Sequence, residues 1–475
     1  MNAAPEAVVA LHDADLYRDA PQGDDDLAEM NEKYAVVKVG GATKVMSLQN
    51  SSLFAGCMTP EFSSVRDFCL FHLKRKKVIR DNRGNEKKIG IGTWWIQQDD
   101  RRQYDGITYA PNIDSHGMFN LWRGFSCEPR KGNCDLYIEL LRDGICKGVI
   151  PHYEYLLNWQ AYGIQRPGRP GQTAIVMRGR EGTGKGVAAK GYGRLFGSHF
   201  LHVTNPKHLT GHFNAHLLHC SALFADESFF AGDRQHENIL KTLITEETLL
   251  IEPKGVNPFQ VRNCIHLMMA SNSDWVVPAG ADARRFFVVD VADTHMQDHP
   301  YFAAINDQLD KGGREALLYE LLNRDLSGFN VRQVPQTAAL AEQKAFTRRG
   351  LDRLIELVAH AGSLPSAHWV YPDIAVTSGE DQSRGFYCQA RTLVPDLKYV
   401  GSSVVISNKL KDDWQCTPWH SGNVRGLKFP KLSELRHLFD RRHGPQRWPE
   451  DTNEWEAPVD WRNLPSSNWS AAFER

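Results

Sequence analysis

Four short apolar runs, each ending in polar or glycine-rich text, organise the middle of this chain. They are Ala174–Met177, Ala222–Ala225, Ile265–Ala270 and Phe286–Val289. Runs of four to six apolar residues separated by stretches of mixed, helix-compatible text predict buried strands alternating with helices. That is an α/β pattern over about 173–290. Upstream, Tyr34–Val39 and the residues after Gly40-Gly41 read as two strands joined by a tight turn. The text turns helical from Asp135, through Tyr137–Leu141 and Tyr153–Tyr162, and Arg166-Pro167-Gly168 with Arg169-Pro170-Gly171 ends it. Downstream, a helical segment runs from Pro300 to Leu326, and a polar stretch from Gln333 to Gln343 leads to a last region. There Leu351–Ala361 and Val404–Lys411 read as helices. Trp414–Trp419, a turn at Gly422–Gly426 and the strand-like Leu427–Phe429 follow. Two helices followed by a two-stranded wing predict a winged-helix domain. The expected organisation is an acidic leader (1–28), a small α+β region (29–134), an α/β domain with its preceding helices (135–330) and a C-terminal domain (345–475).

Composition narrows this picture only modestly. With 475 residues the chain is long for one domain. Its formal charge of −1 means that nucleic acid would have to be met by local basic patches, not by a global field. One such run, Lys74-Arg75-Lys76-Lys77 with Arg80, is expected to be a solvated face, with a nucleic-acid contact as its alternative. The nine cysteines include no close pair, and the spacing of Cys127, Cys134 and Cys146 fits no common zinc pattern. The acidic start lacks a signal segment and no apolar run reaches membrane-spanning length, so a soluble, cytoplasmic protein without a membrane partner is expected.

Candidate chemistry begins where the first apolar run ends. Gly179-Arg180-Glu181-Gly182-Thr183-Gly184-Lys185-Gly186 follows the strand directly. Backbone N–H groups of such a loop, at a helix N-terminus, cradle phosphates, and Lys185 falls where its ammonium reaches the β- and γ-phosphates. Gly179, Gly182 and Gly184 are expected to supply positive φ angles or close backbone approach. The slot after the lysine, usually a hydroxyl that binds Mg²⁺, is Gly186. The second run ends in Asp226-Glu227: the first carboxylate can hold Mg²⁺, and the second can deprotonate the attacking water. The third ends in Ser271-Asn272, where the amide can meet the γ-phosphate or the lytic water. Arg284 and Arg285 precede the fourth run, and one of them can face phosphate from a neighbouring subunit. Between the second and third runs, Pro253-Lys254-Gly255-Val256 puts a lysine at a hairpin tip, suited to a phosphate backbone.

This ordered set resembles the superfamily 3 helicases, and within them the phage and prophage replicative primase-helicases related to the poxvirus nucleoside-triphosphatase. Arg194–Gly197, His202–Pro206, Phe213–His216, Leu243–Glu246 and Asp274–Pro278 read like connecting text of that group. Asn31–Val37 and Tyr104-Asp105-Gly106 do so upstream. The resemblance implies an AAA+-like phosphate-loop core in a hexameric ring that moves 3′–5′ on single-stranded DNA. ATP and Mg²⁺ would bind between subunits and Lys254 would line the channel. It also implies a DNA-dependent ATPase active as a replicative helicase. No clustered polymerase carboxylates precede the loop, so priming is expected on a separate primase or polymerase chain. The alternatives are an origin-binding or loader protein with little hydrolysis, and an ATPase that moves another polymer.

Overall fold

The computed structural model describes residues 25–50, 58–80, 85–113, 115–205, 207–211, 213–227, 234–253, 257–279, 283–368, 370–377, 385–449 and 454–456. Most of the expected leader lies outside them; its end starts the helix Asp25–Lys33. The chain divides into two compact units. One comprises Met1–Pro278 with Arg284–Gln343, the other Ala279–Ala283 with Lys344–Arg475. Among the described residues no helix is long and apolar enough to cross a membrane.

The first unit is built on a five-stranded sheet in the order Phe286–Asp290, Ala174–Arg178, His266–Ser271, Ala222–Asp226, Phe200–Val203. Numbered along the chain, that order is 5-1-4-3-2, and every pair is parallel. The four apolar runs, three central strands and the edge strand Phe286–Asp290, are buried almost throughout, as a sheet covered on both faces requires. The edge strand Phe200–Val203 was not anticipated. Its pattern is half-exposed, so its sequence carries no continuous apolar run. The helix Lys185–Gly193 leaves the sheet directly after the glycine-rich loop. The 16-residue helix Ile150–Gln165, with Pro151 in its first turn where a missing N–H costs nothing, buries Trp159, and the indole N–H donates to the carbonyl of Thr173.

The expected helical span 300–326 is two helices, His299–Gln308 and Arg314–Asn323, broken by a wide turn in which Gly312 takes φ +102°. The polar stretch 333–343 is bonded to the sheet and the turns beside it. Thr337 is buried and donates to the carbonyl of Val288, while the Gln343 side-chain oxygen accepts from the N–H groups of Val276 and Val277. Ahead of the sheet, Tyr34–Val39 pairs antiparallel with Ala42–Asn50 across Gly40 and Gly41, both at positive φ, as the paired glycines require. Met30, Val36, Val45, Phe68, Ile91, Trp94 and Trp95 form a separate small core there.

The second unit runs helix Gly350–Ala361, strand Ile374–Val376, helices Phe386–Leu393 and Ser403–Trp414, hairpin Thr417–Ser421 with Val424–Lys428, and helix Leu432–His443. The two expected helices and the hairpin are present. The first strand, the Phe386 helix and the final helix are additional. Its core buries Leu354, Phe386, Ile406, Trp414, Phe429 and Phe439.

Two fully buried histidines give the first unit a pH dependence. His266 has ring contacts to the carbonyls of Ser221 and Cys264, and burial pushes its pKa down to about 4. His199 stacks on Trp122 and accepts the N–H of Arg123, and burial lowers its pKa to about 3. Both are neutral in the fold but protonate near 6.5 once unfolded, so the unfolded state binds more protons as pH falls. Their contribution to stability is therefore expected to be constant above about pH 7. Below about 6.5 it should fall by about 1.4 kcal/mol per pH unit for each histidine. Urea unfolding at stepwise pH between 7.5 and 5 checks this; a slope unaltered by His266→Gln would refute the assignment.

Candidate functional site

The ladder of the parallel sheet brings the sequence motifs to one edge. Ala270 is paired with Met177 on one side and Asp226 on the other. Ser271 pairs with Arg178, and the N–H of Glu227 donates to the carbonyl of Ala270 at 2.9 Å. Stepping one residue past the strands therefore puts Gly179, Asn272 and Glu227 at the C-terminal rim of three neighbouring strands. Crevices at that rim are where open parallel sheets bind ligands.

The loop itself is closely determined. Gly182 has φ +78° and Gly184 φ +90°, conformations that suit glycine. A Cβ on Gly184 would stand 2.5 Å from Cε1 of Phe302. Of the two roles expected of these glycines, Gly179 does not take positive φ. It is closely approached instead, since a Cβ there would come within 3.2 Å of the Val291 side chain. Arg180, Glu181 and Gly182 are exposed, whereas Thr183 is buried and donates its hydroxyl proton to the carbonyl of Arg180 at 2.8 Å. Lys185 opens the helix with only 7% of its surface exposed. Its ammonium donates to the carbonyls of Gly179 at 2.6 Å and Arg180 at 2.7 Å. Burial lowers its pKa, and the nearby carboxylates of Glu227, Asp226, Glu181 and Asp293 oppose that shift. Gly186 faces open space, with no heavy atom within 4 Å of a built Cβ.

Asp226 is half-buried at the end of its strand. Its carboxylate lies 3.3 Å from Nε2 of His202, whose ring stacks on Phe224 at 4.9 Å between centroids. Glu227 is exposed and sits at φ +50°, a left-handed conformation that costs a non-glycine residue about 1–3 kcal/mol. Asn272 is exposed just beyond Ser271, whose carbonyl accepts the N–H of Gly179. The structure thus brings the loop, both carboxylates and the amide together.

Arg284 and Arg285 are not part of that cluster. Phe286 pairs with Ala174, the first residue of the loop strand, so both arginines lie at the opposite, N-terminal edge of the sheet. Arg284 is exposed. Arg285 is half-buried, its carbonyl accepts the N–H of Ala174, and its Nε has no hydrogen-bond partner among the described residues. Lys254 lies outside the described residues. The strands leading to and from it, Thr248–Ile251 and Phe259–Arg262, pair antiparallel as expected.

Sequence reasoning missed the residues that hold the loop. The N–H of Gln297 donates to the carbonyl of Gly182, and Phe302 and Val291 close on the glycines. Arg178 is ion-paired with Asp290 at 2.6 Å and also meets Glu342. His202 was legible only as connecting text. A histidine interrupting an apolar run shortly before the Asp-Glu strand is the signal that could have marked it.

The comparisons with known proteins bear on this same region. Residues 177–285 match a family of unknown function (DUF5906). A DNA primase-polymerase of Nitratiruptor phage NrS-1 is 30% identical over 138 residues, which are 28% of this chain and 19% of that protein. The chain thus matches about a fifth of that relative's length. The apo structure of the NrS-1 C-terminal region aligns with a TM-score of 0.58 at 14% identity, covering 86% of this chain and 100% of that one. An A-form apo structure of that region gives 0.52 at 17% identity, over 76% and 95%. The chain shares the mixed α/β fold of the NrS-1 C-terminal region.

Proposed function

We propose that this chain is the ATP-driven part of a phage-type DNA replication protein: a phosphate-loop, AAA+-like ATPase that works as a superfamily 3 helicase on single-stranded DNA. The observation that carries the reading is the alignment of Lys185, Asp226, Glu227 and Asn272 along one rim of a 5-1-4-3-2 parallel sheet. The similarity to a protein named a phage DNA primase-polymerase supports a role in replication. In this reading the loop N–H groups from Gly182 to Gly186 and the ammonium of Lys185 hold the ATP phosphates. Glu227 accepts the proton of the attacking water as its oxygen bonds to the γ-phosphorus and ADP departs. Asn272 orients that water.

Mg²⁺ suits this donor set, because it commonly takes one or two carboxylates with waters and phosphate oxygens. Asp226 would hold it, and the open space beside Gly186 leaves room for a water where a hydroxyl usually stands. The ion would neutralise charge on the phosphates. The ring form, a hexamer, and the placing of Lys254 in its channel belong to the same proposal. So does a winged-helix reading of the second unit, whose helix, strand, two helices and hairpin follow in that order. The expectation of priming on a separate chain draws no support from the NrS-1 protein, itself named a primase-polymerase. A second reading, a DNA-binding loader with weak hydrolysis, is favoured by Gly186 alone.

Lys185→Ala is expected to abolish phosphate release. Glu227→Gln should lower turnover by about 10²–10⁴-fold while ATP stays bound. Wild-type turnover in either variant rejects the site. Gly186→Ser should fold normally and lower the Mg²⁺ concentration needed for half-maximal turnover, whereas Gly184→Ala should lose nucleotide binding. The opposite ranking in a nucleotide-binding titration would show that the loop does not hold phosphate. Lys254→Ala should keep basal ATPase and lose its stimulation by single-stranded DNA, read by phosphate release with and without an oligonucleotide. Full stimulation in that variant removes the channel role.

A further inference from the structure

The basic run near the N-terminus is divided by the fold into two sets with different work. Lys76–Arg80 and Glu86–Gly90 form a two-stranded antiparallel hairpin, with Lys76 opposite Gly90, Val78 opposite Lys88 and Arg80 opposite Glu86. Side chains alternate across a strand, so Lys77 and Ile79 face one way, and Lys76, Val78 and Arg80 the other. Ile79 and Ile89 pack against the small core of Trp94 and Trp95. On that side Lys77 pairs with Asp26 and lies 4.6 Å over the Trp94 ring, while Arg75 reaches Glu29 at 2.7 Å. These two cations fasten the helix Asp25–Lys33.

The outer set is left to solvent. Lys74, Lys76, Arg80 and Lys88 are exposed, and among the described residues Arg80 is ion-paired with Glu86 at 3.9 Å, with 77% of its side chain exposed. Leu73 adjoins this face, since its Cδ1 is 3.4 Å from where a Cβ would stand on Gly90, the partner of Lys76. Just before it, Phe71 leaves 81% of its surface in water, beside Leu70 at 56%. Residues 74–90 carry eight Lys and Arg against two Asp and Glu in a chain of formal charge −1, so the remainder is net acidic. A cationic hairpin face, with an exposed aromatic ring just before it in the chain, supplies the two groups that bind single strands. Cations track the phosphates, and the ring stacks on a base that a duplex would keep hidden.

We propose that the outer face of this hairpin, with Phe71, is a binding site for a single-stranded polynucleotide, separate from the nucleotide rim and from the Lys254 hairpin. It needs no ATP and stands whether or not the chain hydrolyses nucleotide. The test uses the full chain without nucleotide and a labelled thymidine oligonucleotide about 16 nucleotides long. Binding is measured by fluorescence anisotropy over a salt series. The triple variant Lys76→Ala, Arg80→Ala, Lys88→Ala should weaken binding, and the slope of log K against log salt should fall by about 2, at roughly 0.7 for each phosphate contact. Phe71→Ala should weaken single-strand binding roughly tenfold, leave the salt slope unaltered and spare binding to a blunt duplex. A uridine oligonucleotide in place of thymidine tells RNA from DNA; loss in the variants on either strand supports the site. Because Arg75 and Lys77 are untouched, the variants should keep the wild-type melting temperature and basal ATPase. Unchanged affinity and slope in the triple variant would overturn the proposal. So would equal loss on duplex and single strand in Phe71→Ala. Binding to phosphatidylserine vesicles that the triple variant loses, with its oligonucleotide binding intact, would assign the face to membranes and overturn it too.

Discussion

The hydrogen-bonded ladder joining Met177, Ala270 and Asp226 is the constraint on which the candidate site depends. In a parallel sheet covered on both faces, register is set by which apolar side chains enter the core. Here Val176, Met269 and Ala225 are all buried. A slip of one residue along any of the three strands would send buried side chains to the wrong face. It would also carry the rim residue beyond reach of its neighbours. The cost of mispacking the core is thus what aligns Gly179, Asn272 and Glu227, although these residues contribute little burial themselves. The 1–3 kcal/mol held in the left-handed backbone of Glu227 is affordable in that setting. Its N–H is bonded into the ladder at Ala270, so the rigid sheet fixes the direction from which the side chain leaves.

The loop shows how a buried cation is held by neutral groups. A cation with 7% of its surface exposed needs acceptors, and Lys185 finds them in the carbonyls of Gly179 and Arg180. Those are neutral groups, and burial still lowers the pKa of the ammonium. An anion at the same place would be a stronger partner, since hydrogen bonds between charged groups are roughly twice as strong as neutral ones. Under the proposed reading, phosphate binding would exchange these carbonyls for phosphate oxygens at an ammonium already held in place. The turn and helix after the fifth strand keep the loop in shape meanwhile, through Gln297 on Gly182 and Phe302 against Gly184.

What was legible in the sequence follows from how local each feature is. The apolar runs, the paired glycines at 40 and 41 and the positive φ of Gly182 and Gly184 are decided within a few residues, and they could be read. Phe200–Val203 could not, because an edge strand with one buried residue has no continuous apolar pattern. The helix Leu432–His443 was hidden by its charges. It buries Leu432, Leu435, Arg436 and Phe439 on one face and ends in Arg441, Arg442 and His443, which suit a helix C-terminus. Neither could the support from Val291, Gln297 and Phe302, which comes from more than a hundred residues along the chain. Gly179 shows where the sequence leaves a choice open. The sequence marks a glycine, but only packing against Val291 tells that it serves close approach rather than backbone freedom. The basic run was read as one solvated face, yet strand alternation splits it into cations that hold a helix and cations that face water.

Arg284 and Arg285 carry the argument beyond one subunit. They stand at the start of a strand whose far end, Asp290, pairs with Arg178 beside the loop. Five residues of strand separate those levels, roughly 16 Å at about 3.3 Å per residue. An arginine side chain does not span that distance back to its own loop through a packed sheet. Under the proposed reading these guanidinium groups can meet phosphate only from another subunit, whose rim is brought against this edge. A half-buried guanidinium such as Arg285, with Nε unsatisfied among the described residues, is costly in an isolated chain. Under the proposed reading an anion from a neighbouring subunit would relieve that cost, which would couple nucleotide chemistry to assembly. Hydrolysis would then rise more steeply than linearly with protein concentration. The arginine edge and the rim would complement one another in trans, because a chain lacking only Arg285 still presents a complete rim.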